Sequence, residues 1–370
     1  MNHSEHNPTQ AESGLEIGVI TLGEYISDAQ TGRRIPAQQR LQEIIAAAKL
    51  ADESGLDVFG VGEHHSSDFV VSAVPVVLAA IAQATKRIRL TSAVTILSTA
   101  DPVREFENFA TLDLLSGGRA EMIAGRGAFV ESFPLFGYDV ADYEPLFSEK
   151  LDLLLQLNAM ERVTWQGRFR PALHDAEVAP RPLQPQLPIW IGVGGTPQSV
   201  VRAATLGLPM MVGIIGGASA RFKPLMDLYH SVGSQTNHEP TRLKTGVTSY
   251  LHIAKTSQAA VDEFYPYHSH YFEQLGSRRG RNMQLSRSDY ARETKREGAY
   301  FVGGPQQIID KLLYQHEMFG HQRFLAQVDL GGLPYDKVAQ TIELLASEVA
   351  PVIRRETAPT RTASTETARA

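Results

Sequence analysis

Eight short apolar runs, each trailed by a stretch of helical spacing, constrain this chain more than any other feature. They are LEIGVIT (15–21), LDVFGVG (56–62), IRLTSAVTIL (88–97), RAEMIAG (119–125), LPIWIGV (187–193), LPMMVGII (208–215), LKTGVTSYLHI (243–253) and RFLAQVDL (323–330). Strands apolar on both faces and joined through helices form parallel sheets. After the first run, PAQQRLQEIIAAAKLADESG (36–55) places its apolar residues at helical intervals and stops on Gly55, a helix-ending glycine. Similar patterns cover 73–85, 102–115 and 143–160. Eight such β/α units predict an α/β protein built as a closed (β/α)8 TIM-type barrel. An open doubly wound sheet shares the alternation and stands as the alternative.

The barrel is expected over 15–353, within a chain of 370 residues. Two stretches break the alternation: an irregular one at 162–186 and a long polar insertion after the seventh run, 256–298. Residues 1–14 and the tail 354–370 lack apolar periodicity and are expected to be disordered. A formal charge of −6 argues against nucleic acid as the partner, because phosphate-backbone binding needs clustered Lys and Arg. The absence of cysteine excludes disulfides, thiolate metal sites and a Cys nucleophile. There is no run of eighteen apolar residues and no apolar leader at the start, so a cytoplasmic protein is expected, with no membrane span.

The second run leads straight into Glu63-His64-His65. Along a strand, Gly60, Gly62 and His64 share one face, while Phe59, Val61, Glu63 and His65 share the other. A narrow barrel interior takes the small residues, so His64 is aimed into the mouth at the C-terminal rim, where such barrels carry their sites. A polar strand end making ordinary hydrogen bonds would look the same. Metal binding by the pair is disfavoured, because neighbouring strand residues point to opposite faces.

The second informative stretch is PIWIGVGGTPQSVVRAATLG (188–207). A strand ends at Val193, Gly194-Gly195 turns, and Thr196-Pro197 opens a helix. Free N–H groups at such a helix start, with the Thr196 and Ser199 hydroxyls, suit one phosphate. An ordinary capped turn uses the same residues. No dinucleotide fingerprint exists: Gly192-x-Gly194 meets Pro197 at the sixth place, and Gly125-x-Gly127 meets Val130. A second glycine turn at Gly216-Gly217 can cover the same phosphate, and Arg126 between two glycines can reach it.

Taken in order, Glu63-His64-His65, TSAVTILSTADPVR (91–104), LLSGGRAEMIAGRG (114–127), GGTPQS (194–199) and GLPM (207–210) resemble the bacterial luciferase-like family of flavin-dependent monooxygenases, from about 15 to 349. The resemblance implies a TIM-type barrel with FMN at its C-terminal end. It makes His64 the catalytic histidine and puts a non-prolyl cis peptide at Ala93-Val94, under the flavin ring. It assigns cofactor contacts to Glu63, Arg126, Gly127, Ala128, Gly194, Gly195, Thr196, Ser199, Gly216 and Gly217. Gly195 departs from luciferase itself, which has a carboxylate there.

The expected activity is oxygenation of a small organic substrate through a C4a-peroxyflavin. Reduced FMN would come from a separate flavin reductase, because no nicotinamide site is present, and the resemblance favours a homodimer. A deazaflavin-dependent hydride transferase and a flavin-binding protein without turnover stand as alternatives. The insertion 256–298 is a candidate lid, and its arginines read first as a solvated face.

Overall fold

The computed structural model describes residues 14–236 and 238–359; the stretches 1–13 and 360–370 expected to be disordered lie outside them. Eight parallel strands close into a barrel: β1 (Glu16–Thr21), β2 (Val58–Val61), β3 (Arg89–Ser92), β4 (Ala120–Gly125), β5 (Ile189–Val193), β6 (Met210–Gly213), β7 (Thr245–Ile253) and β8 (Arg323–Gln327). Each pairs with the next and β8 pairs with β1, so no edge is left and the open sheet is ruled out. Helices α1 (Ala37–Glu53), α2 (Val74–Ala84), α3 (Pro102–Ser116), α4 (Tyr143–Ala159), α5 (Pro197–Thr205) and α6 (Lys223–Gln235) return the chain between strands. No described helix is long and apolar enough to cross a membrane.

Strand faces divide as period-two alternation demands. Ile20, Val58, Ile123, Trp190, Met211 and Leu325 fill the barrel interior. Phe59, Val61, Leu90, Met122 and Ile191 belong to the larger core under the helices. Gly60 sits on the inner face, where an added Cβ would come 2.7 Å from Ile20 and 3.1 Å from Thr91. The N-terminal end of the barrel is plugged by charge: buried Glu121 bonds Arg89 and Arg323, and Arg323 also takes Glu16 at 2.7 Å and lies over the Trp190 ring.

Four expectations need correction. The run 88–97 is not one strand: it breaks after Ser92, and Thr95–Ile96 resumes against β4. The stretch 162–186 is not irregular, because Arg162–Trp165 pairs antiparallel with Leu173–Glu177, tied by Arg162 to Asp175 and Glu177. The polar insertion is largely helix α7 (Ser257–Arg278), followed by Arg287–Glu293. Its mean polarity hides one buried stripe, Ala260, Phe264, Tyr267 and Tyr271, at the helical spacing that packs a helix on a core. Thr256 caps it by accepting from the Ala259 amide at 3.2 Å. Lastly, a helix runs over Ala350–Thr357, into the expected tail, because Ile353 packs into the core and the Arg354 guanidinium bonds Asp57.

Helices α8 (Pro305–Phe319) and α9 (Tyr335–Leu344) complete the outer ring. Between α7 and α8 a short strand, Phe301–Gly303, pairs with the end of β7, an addition to the eight-strand reading.

Candidate active site at the C-terminal mouth

Two adjoining cavities open among the loops that follow the strands. The inner one, about 350 Å³, is walled by Ile20, Ile123, Met211 and Leu325 below and by Val94, Gly125, Gly127 and Gly194 at the rim. The Ala93–Val94 peptide is cis, as the family resemblance implies, and both residues line this cavity. Val94 accounts for two glycines around it: a Cβ on Gly125 would stand 2.6 Å from its side chain, and one on Gly192 2.9 Å. The result is a largely apolar slot with glycines at its rim.

Charge gathers at one end of that slot. Arg126, on its wall, donates to the Thr196 hydroxyl at 3.0 Å, and Thr196 shares a 2.9 Å bond with Ser199. Thr196 stands at the N-cap of α5, yet its side chain does not cap. The hydroxyl is spent on Arg126 and Ser199 instead. Arg126 also holds Glu144 at 2.6 Å, and Arg202 grips the other oxygen of the same carboxylate. Burial, and then the neighbouring charge of Arg126, depresses the Arg202 pKa from its ordinary value. Tyr143 braces this corner by donating to the Gly127 carbonyl at 2.6 Å beneath Arg126. Two guanidinium groups and two hydroxyls thus gather at the start of α5 around the single Glu144 carboxylate, donors of the kind that bind anions.

The outer cavity, about 420 Å³, adjoins the inner one through Ala128, which lines both. Its walls come from Phe69, from Phe129 to Glu131, and from the end of α7. His64 lies under this wall rather than on it. The imidazole stacks on Phe69 at 3.8 Å and meets the edge of Phe129 at 4.9 Å. Its Nδ1 is buried without a hydrogen bond, and the Glu131 carboxylate stands 3.5 Å away. Burial pulls the Glu131 pKa upward, but the His64 side chain and backbone donors outweigh it and leave it lowered.

Among the residues singled out from sequence, Ala93, Val94, Arg126, Gly127, Ala128 and Gly194 come together on the inner cavity. Thr196 and Ser199 join through Arg126, and Gly195, at φ 113°, makes the turn that presents them. Glu63 is not among them. One of its oxygens takes the Ile96 amide at 2.8 Å and the other His65 at 2.8 Å, fixing the break in the third run from the outer face. Gly216 and Gly217 also stay off the cavity wall, and the Gly217 amide is bound to Glu293. Glu144 and Arg202 were missed. Arg202 lies one helical turn beyond Ser199, a spacing that could have pointed to it, whereas nothing in the sequence marks Glu144.

Across residues 16–322 the chain matches the family described as luciferase-like monooxygenase. The chain belongs to that family. It is 27% identical over 343 residues to 4-hydroxyprotoasukamycin monooxygenase of Streptomyces nodosus subsp. asukaensis, covering 90% of this chain and 92% of that one. It is 24% identical over 352 residues to the oxygenase component of the flavin-dependent trigonelline monooxygenase of Acinetobacter baylyi, covering 89% and 92%. Among solved structures, the oxygenating constituent of 3,6-diketocamphane monooxygenase from Pseudomonas putida, in complex with FMN, superposes with TM-score 0.75 at 19% identity, over 91% of this chain and 98% of that one. A coenzyme F420-dependent secondary alcohol dehydrogenase does so with TM-score 0.70 at 16% identity, over 92% and 99%. These two likenesses establish the shared barrel. Family membership makes the chain an oxidoreductase of the luciferase-like monooxygenase type.

Proposed function

We propose that the chain is the oxygenase component of a two-component monooxygenase, taking reduced FMN from a separate flavin reductase and oxygenating a small organic substrate with dioxygen. One observation carries the reading: an apolar, glycine-rimmed slot that ends in Arg126, Thr196, Ser199 and Arg202. A single phosphate on a flat ring system matches both ends of such a slot. Bound there, reduced FMN would supply the electrons that activate dioxygen.

Arg126 and Arg202 would hold the phosphate, and Gly194 and Gly195 would let the backbone approach it. Val94, on the wall of the inner cavity, would pack against the ring system. His64, with Glu131 beside it under the wall of the outer cavity, holds or delivers a proton for the reaction. The end of α7 walls the outer cavity and would limit the access of water to the reacting groups. A relative named as an oxygenase component supports the reductase partner. Exposed Val76 on α2 and Leu114 and Leu115 on α3 support a homodimer through those helices.

The test is a titration of the purified chain with FMN, riboflavin and a deazaflavin, followed by assays with NADH. FMN should bind tightest. NADH oxidation should be negligible until a flavin reductase is added, and oxygen uptake should then respond to a substrate panel. Tightest binding of the deazaflavin would favour hydride transfer. Saturable NADH oxidation by the isolated chain would overturn the two-component reading.

A further inference from the structure

The outer cavity has a chemistry of its own. Phe69 and Phe129 stand at 72° to each other with centroids 6.2 Å apart, giving the recess a flat floor and an upright side. Tyr271, Leu275 and Ile26 complete an apolar interior. Flat rings pack best against such offset and edge-on aromatic walls.

Charge is confined to the ends. Glu131 faces His64 at the inner end, and Asp68 is paired with Arg278 at 2.7 Å. Arg279 is the charged lining residue with no carboxylate partner among the described residues. Its guanidinium lies 4.7 Å over the Phe129 ring, which holds it above the cavity. Its own amide bonds the Leu275 and Gly276 carbonyls, so part of the negative end of α7 is already occupied. With Asp68 cancelling Arg278, the outer end retains one positive charge. That suits a monoanion rather than a phosphate dianion.

We infer that the outer cavity receives an apolar, ring-bearing carboxylate, with its ring against Phe69, Phe129 and Tyr271 and its carboxylate on Arg279. Two arginines of the insertion, 278 and 279, thus line a cavity, while Arg287 and Arg292 pair with Asp262 and Asp289 on the outer surface. A cavity of about 420 Å³ lies in the range that holds small organic ligands. The inference rests on the oxygenase reading of the adjoining slot, because it assigns the substrate of that reaction.

The experiment compares 2-naphthoate with 2-naphthylmethanol, which share a ring and differ in charge, by calorimetric titration of the full chain with and without FMN. A partly exposed charge-assisted pair predicts roughly a threefold to tenfold preference for naphthoate. Arg279→Gln should abolish that preference while leaving naphthylmethanol affinity within about twofold of its original value. Arg279→Glu should reverse the preference, and Phe129→Ala should weaken both probes. Equal affinities in the unmodified chain, binding of neither probe, or a preference that survives Arg279→Gln would each overturn the inference. FMN affinity on the same samples separates the two readings. Naphthoate preference without FMN binding would sink the oxygenase reading, and FMN binding without naphthoate preference would sink only this one.

Discussion

Removing Arg202 tests whether the arginine cluster at the start of α5 binds an anion. Its side chain is 18% exposed and shares the Glu144 carboxylate with Arg126. A charge-assisted bond contributes about 1.5–3 kcal/mol, and partial exposure reduces this to about 1–2 kcal/mol. At about 1.4 kcal/mol per tenfold, Arg202→Ala should weaken FMN roughly fivefold to thirtyfold. Riboflavin has the same ring and no phosphate, so its affinity should move by less than about twofold, as for a contact it does not make. Glu144→Gln is the opposing arm. Neutralising that carboxylate frees both guanidiniums, so FMN should tighten while riboflavin stays level. Both effects should shrink as salt rises, because the screening length falls to about 10 Å at 0.1 M. Quenching of flavin fluorescence reads all four affinities. Parallel losses of FMN and riboflavin in Arg202→Ala would mean that Arg202 only holds α5 in place, and the two-arginine site would be refuted.

Three further outcomes follow from buried groups elsewhere. His64→Ala should keep FMN affinity but divert reduced flavin and oxygen to hydrogen peroxide, and Glu131→Gln should do so more weakly; unchanged coupling in both would remove His64 from the reaction. Glu24 is buried, and its pKa is raised to about 8 by burial and then by Asp329, against opposing help from Gly331, Arg40 and Gln327. The folded chain keeps that proton where the unfolded chain has lost it, so this group makes stability fall as pH rises from about 4.5 to about 8. Melting curves of Glu24→Gln should show a shallower decline over that window, and an identical pH slope would refute the assignment. Glu121→Gln, in the plug at the opposite end of the barrel, should destabilise by about 3 kcal/mol because it leaves Arg89 and Arg323 short of a buried partner. FMN affinity should not change in that variant, a result checked by pairing denaturant unfolding with the flavin titration.

What could be read from the sequence follows from the range of each interaction. A strand buried on both faces must be apolar throughout, so eight strands announce themselves, and the glycines at 60 and 125 mark where side chains crowd the barrel. The same alternation separates His64 from Glu63, and Glu63 is turned to the outer face. The cover on His64 was not legible, because Phe69 and Phe129 arrive from two loops whose approach depends on the finished barrel. Glu144 belongs to the same class: its meaning appears only when α4 brings it between arginines from β4 and α5. Helix α7 escaped notice for a different reason. One buried stripe on a polar helix leaves the average composition that of a loop.

One short segment joins the two chemistries. Directly after β4, Arg126 reaches the anion cluster, Ala128 separates the cavities, Phe129 walls the outer one, and Glu131 meets His64. Six consecutive residues therefore reach the arginine cluster, the partition, the outer recess and His64. Tyr143 fixes the near end of this segment through the Gly127 carbonyl, and Phe133, fully buried and stacked on Tyr143, anchors the far end. A strand end held at both limits can present side chains to both cavities with little freedom to drift, which is what positioning of reacting groups requires. Insertions elsewhere in the barrel loops can lengthen without disturbing this register; one within 126–131 would displace Arg126 from Thr196 or Glu131 from His64, because Tyr143 and Phe133 fix the ends between which it must fit.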